Sequence, residues 1–253
     1  MTSHPFTCPP LQRIWHSSDA ILLIFAGGAA EFGAIKAVDW LFFTNALPSD
    51  PIGRFFETVR FAQHVFFSSD AEATTTLATI NRIHQAVERT RGAVIPDWAY
   101  RDVLFILIDY GERAHTIVYG PMSAAERESH FHTLITLGQA LHLTDLPTTY
   151  PAYCTQRHQQ LMNDYAHSEL TEQLNTAYRT ALGPVRYWLL QHLQGCLLPI
   201  ELQALTGLYP HPAIVLLLRL YRYLPGGGNK LRWLHSILLP SRFAGQLRQL
   251  SHI

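Results

Sequence analysis

Asp97 to Tyr119 reads DWAYRDVLFILIDYGERAHTIVY. Pro96 and Asp97 open it in the manner of a helix start, and nothing inside it breaks a helix. Its middle, VLFILI, is apolar around most of a helical circumference. A helix of that kind sits inside a bundle, not on its surface. The stretch 184–198 has the same character. No convincing period-two strand occurs anywhere, so the expected fold is all-α: a single-domain bundle over 1–253, with an extended arm at about 1–14. Buried central helices would enclose an apolar pocket.

The remaining helices follow from their punctuation. Asp50-Pro51 opens GRFFETVRFAQHVFF with a cap and a Pro in the first turn. Asp70 is expected to cap AEATTTLATINRIHQAVERT, with Gly92 as the stop. Ser123 and Glu126 form a capping box ahead of a helix to about Leu143. Thr149 and Pro151 begin another, through about His167. Two more run from Pro184 to about Leu198 and from His211 to Tyr223, with Pro199 separating a short helix at 200–205. Pro225 to Gly228 reads as a flexible joint. The segment 231–250 is expected as a last helix interrupted at Pro240.

The composition excludes several functions. Of 253 residues, 48% are hydrophobic and only 15% charged, with 19 basic and 19 acidic side chains. Disorder and nucleic-acid binding are both poor fits to that balance. Three cysteines cannot build a disulfide framework and point to a reducing compartment. The run ILLIFAGGAA at 21–30 mimics a signal-peptide core, but Asp19 just before it and a lone Arg13 upstream do not fit one. A cytoplasmic location is expected. Fourteen histidines with many aromatics suit an apolar ligand, a metal or a haem.

Arg54 and Thr58 are four apart and share a helix face. Ala73, Leu77, Ile80, His84 and Val87 follow the spacing of a buried stripe, so His84 is expected to face the core. Two readings stand for it: a core histidine bonded to carbonyls or a Tyr, or a metal or haem-iron ligand. Glu112-Arg-Ala-His115 has the Glu-x-x-His spacing of di-iron bundles, but two such motifs and two further Glu are needed. Otherwise Glu112 and His115 lie on an exposed face. His130 and His132 point apart on a helix and read as solvated. Asp109 interrupts LFILIDYG and requires a partner. Arg219, Arg222, Lys230, Arg232, Arg242 and Arg248 are interleaved with Leu, Tyr and Trp. That mixture reads first as snorkelling over a core, and secondly as weak peripheral contact with a membrane.

The segment DPIGRFFETVRFAQHVFF, followed by a Thr-rich stretch and INRIHQAV, resembles the catalytic domain of the fungal mpaB-type oxygenases and bacterial rubber oxygenases. The match lies in Arg54, Thr58 four later, and His84 one helix on. Ala26–Gly28 resembles the family's glycine motif. Residues 96–131, the LPTTYPAYC stretch and CLLPIELQ resemble its later elements, so the likeness covers about 15 to 245. The resemblance implies a haem b oxidoreductase that acts with dioxygen on an apolar small molecule, oxidising it or cleaving a C=C bond. His84 would be the axial iron ligand, and Arg54 and Thr58 would line the haem and polarise bound oxygen. Ala30, Ile35 and Val38-Asp39 depart from the family pattern, and Glu57 stands where rubber oxygenases carry Lys. These departures favour a smaller isoprenoid or lipid-like substrate over rubber. The competing expectation is a carrier of terpenoids or lipids on the same fold.

Overall fold

The structure is a computed structural model that describes residues 4–43, 46–230, 238–243 and 245–246. It is all-α, with no strand among the described residues. In chain order the helices are α1 (Pro9–Trp15), α2 (Ser18–Ala34), α3 (Val38–Phe42), α4 (Ala46–Ser49), α5 (Pro51–Phe67), α6 (Asp70–Arg91) and α7 (Asp97–Tyr119). They continue as α8 (Ala124–Ala140), α9 (Tyr150–Asn163), α10 (Glu169–Leu182), α11 (Pro184–Leu197), α12 (Ile200–Thr206) and α13 (Pro212–Tyr221).

The axis of the bundle is the α2–α7 pair, which shares the most extensive contact between any two helices. The run at 21–30 that mimics a signal core forms the middle of α2 and is largely buried. The second central helix is therefore α2, not 184–198. On α11, Val185 and Trp188 are exposed, which places it at the surface. Close approach of α2 and α7 depends on Gly27. A side chain there would overlap the ring of Tyr110, which is itself fully buried. The residues read as an extended arm carry α1 instead, whose Leu11 and Ile14 are fully buried.

Local chemistry set most boundaries. Gly92 ends α6 in the left-handed region at φ 69°, and Ser123 and Glu126 form the capping box of α8. The cap of α6 is Ser69, one residue earlier than expected, because Ser69 and Glu72 form a reciprocal box while Asp70 lies within the first turn. α9 stops at Asn163, short of His167. Beyond it the chain turns to pair with Ile35 through Lys36 N–H to Asp164 O at 2.8 Å and Ala166 N–H to Ala34 O at 2.8 Å. α10, absent from the helices expected, starts at a Ser168 cap whose hydroxyl accepts from Thr171 N–H.

The glycine run expected as a joint is docked. Ser17 Oγ donates to Gly228 O, and Asn229 Oδ1 accepts from Ser18 N–H at 2.9 Å and Ser18 Oγ at 2.5 Å. Lys230 Nζ donates to Arg222 O at 2.9 Å, and Tyr221 OH to Asp19 Oδ2 at 2.5 Å. The segment after α13 is thus fastened to the start of α2. Most of the expected last helix lies outside the described residues; those around Pro240 show a 3-10 turn at Ser241–Phe243, with Leu238, Gly245 and Gln246 helical.

Candidate functional site

α5 and α6 pack side by side, joined only by Ser68 and Ser69. Asp50 Oδ1 accepts from Gly53 N–H at 3.0 Å and Pro51 fills the first turn of α5, so the helix starts where the motif begins. The stripe on α6 begins in the core and ends at its rim. Ala73 and Leu77 are buried, whereas Ile80, His84 and Val87 are only partly covered. His84 is therefore half-buried rather than a core histidine. Tyr100 of α7 packs on it with ring centroids 4.9 Å apart.

Arg54 lies close enough to His84 to act on it. Burial first, and the Arg54 cation second, hold the imidazole below its usual range, against the opposing pull of Glu88. The ring is neutral at neutral pH. Among the described residues neither ring nitrogen has a hydrogen-bond partner. A neutral imidazole with a free lone pair is what an iron ligand must offer. Arg54 binds Glu57 at 2.9 Å, and both side chains are partly exposed. Thr58 is exposed, and its hydroxyl donates to Arg54 O at 3.1 Å on its own helix. The structure thus brings Arg54 and His84 together, and no hydrogen bond joins Thr58 to either ring nitrogen. The donor set fits a haem, with an imidazole to the iron and a cation for a propionate.

Tyr100 and Glu88 were missed from sequence. Glu88 Oε1 also accepts from Ile95 N–H at 2.9 Å, which ties the turn into α7 back to α6 and sets Tyr100 over His84. No spacing rule links residue 100 to residue 84, so only the packing reveals the pair.

The other candidates have structural partners. His115 is buried, with Nδ1 on Gly120 O at 2.9 Å, and Glu112 binds Tyr150 OH at 2.7 Å and Arg127 at 2.8 Å. Neither is on a free face, and among the described residues no group of three or more His, Cys, Asp or Glu could hold a metal. His130, expected to be solvated, is buried because α8 packs it against α7, where its Nε2 donates to Ile108 O at 3.2 Å. Burial pushes it down to about 4, so it too is neutral. His132 is exposed beside Glu128.

Asp109 has the partners its burial demands. It binds Arg113 at 2.7 Å and Arg157 at 2.9 Å. Burial works to raise its carboxyl, and the two cations outweigh it and hold it low. Arg157 also grips Glu31 at 2.6 and 2.8 Å and Gln160 at 2.8 Å, while Tyr165 donates to Glu31. This network joins α2, α7 and α9. A groove of about 460 Å³ lies elsewhere, lined by Arg13, His16, Tyr119 and Asn229 among others, and contains none of Arg54, Thr58 or His84.

Asp102 stands beside the network with Oδ2 buried and unpartnered. Burial, then the facing Asp164, push its carboxyl up to about 8 from 3.8. Between those values the folded chain keeps a proton that the unfolded chain has lost. The stabilisation is complete below the unfolded value and is lost as pH rises through the folded one. Wild-type melting temperature should fall from about pH 5 to about pH 9, and Asp102→Asn should flatten that fall. Parallel profiles for the two proteins would show that Asp102 is not the titrating group.

A protein-family model described as "ER-bound oxygenase mpaB/B'/Rubber oxygenase, catalytic domain" matches residues 10–245. No curated protein and no solved structure matches the chain.

Proposed function

Because the chain belongs to the ER-bound oxygenase mpaB/B'/rubber oxygenase catalytic-domain family, we propose that it is a haem b-dependent oxygenase acting on an apolar, isoprenoid or lipid-like small molecule. The observation that carries this reading is His84: neutral, half-buried, free at both ring nitrogens among the described residues, and close to the one Arg that the family pattern singles out. Haem iron, when bound, supplies dioxygen binding and electron transfer. The chain supplies the rest. His84 would offer its lone pair to the metal, and Tyr100 packs against its ring from the α7 side. Burial and Arg54 keep a proton off that ring. The guanidinium of Arg54 would pair with a propionate, and Thr58, its hydroxyl held by Arg54 O on the same helix, would line the exposed end of the site.

Glu57 bears on the substrate. It stands where rubber oxygenases carry a cation, and here it draws Arg54 to itself at 2.9 Å. This charge arrangement supports a substrate other than rubber. The electronic spectrum of the purified chain, expressed with haem supplied, tests the reading. A Soret band in the region of about 400–415 nm is expected for a histidine-ligated haem. Colourless, folded protein from those cells would overturn the haem assignment and leave the carrier reading in its place.

A further inference from the structure

The zero net charge hides a sharp division. Of the 19 basic residues six follow Glu201, and none of the 19 acidic residues does. The last 52 residues therefore carry a formal +6 on a chain whose total is zero. α13 lies in this segment and shows an unusual surface. Leu216, Leu217 and Leu220 are 56%, 61% and 52% exposed, and at 100° per residue they share one side of the helix. Tyr223 and Leu224 continue the exposed apolar surface past the helix end. Arg219 is exposed on the flank of this row and Arg222 is exposed just past the helix end, over the Tyr223 ring, and among the described residues neither meets a carboxylate. On α11 the exposed Trp188 packs against His192, whose ring packs in turn on His211, the residue that precedes α13.

A water-facing leucine row of this kind is uncommon on a soluble protein and marks a contact surface. We propose that α13 and the turn after it seat the protein on an anionic lipid bilayer, with the leucines entering the acyl boundary and the arginines at the phosphate level. Charge complementarity selects this occupant. A second copy would bring one strongly positive segment against another, which opposes association through this face. Nucleic acid would find aliphatic leucines, which offer bases neither stacking nor hydrogen bonds. Trp188 suits the headgroup region, where amphipathic rings collect. α13 is too short to cross the membrane, and no described helix is long and apolar enough to do so. The contact is therefore peripheral, of the kind made by amphipathic helices with basic flanks. The bonds of Asn229 to Ser18 and of Tyr221 to Asp19 fasten this segment to the start of α2, so the surface is held in place by the bundle.

Co-sedimentation of the full chain with phosphatidylcholine vesicles, with and without phosphatidylserine, tests the proposal. Binding is expected to the anionic vesicles, to weaken with added salt, and to be slight on the neutral ones. Leu217→Asp/Leu220→Asp should reduce it more than about tenfold. Arg219→Gln and Arg222→Gln should each reduce it about fivefold. The arginine variants decide the matter if the leucine variant fails to fold. No binding to anionic vesicles, equal binding to neutral ones, or binding untouched by all these substitutions would overturn the proposal. So would concentration-dependent dimers abolished by the leucine changes in a protein that ignores vesicles.

Discussion

Replacing Arg157 with methionine is expected to destabilise the fold by about 3–5 kcal/mol. Its side chain is 7% exposed and its principal partner, Glu31, is fully buried. Removing the guanidinium leaves Glu31 uncompensated between α2 and α9 and strips Asp109 of one of its two cations. The loss of a partner is costly because the surviving charge cannot be rehydrated inside the bundle. Taking away both charges is less costly. Glu31→Gln/Arg157→Met should be more stable than Arg157→Met alone, since no buried ion is then left unpaired. Urea midpoints with unchanged slopes would measure both. A loss below about 1 kcal/mol for the single variant, or a double variant weaker than the single, would show that the network is hydrated and contributes little.

The second large effect concerns function. His84→Ala, purified from haem-supplied cells, is expected to lose the Soret band almost completely, because it removes the one imidazole among the described residues that is both neutral and reachable beside Arg54. His115→Ala and His130→Ala should keep the band. Each of those rings is enclosed by the α7–α8 contact and holds a backbone carbonyl, so neither can reach a ligand at the α5–α6 rim. Added imidazole should restore colour to His84→Gly if the cavity, and not only the side chain, survives. A full Soret band in His84→Ala would move the iron to another histidine, with His64 on α5 the first to test.

Helices were legible wherever local chemistry is self-contained. The start of α5 at Pro51, the stop of α6 at Gly92, the box at Ser123 and Glu126, and the break at Pro199 each depend on a few adjacent residues. The site was legible in part. Arg54 lies near enough to His84 to lower its proton affinity, but the stripe carrying His84 runs out of the core and into its rim. Periodicity reports which side of a helix is apolar, not how much of that side its neighbours cover.

The sequence by itself determined the all-α class and the placement of most helix ends, because caps, prolines and apolar period act over one or two turns. It also determined the charge division at Glu201, which is a matter of order along the chain. Only the tertiary structure decided that α2 is the second central helix, that Tyr100 covers His84, that His130 is buried, and that Gly228 and Asn229 dock on α2. Each of these is a contact between residues far apart in the chain. Such contacts are chosen by which surfaces fill the core together, and no local rule contains that information.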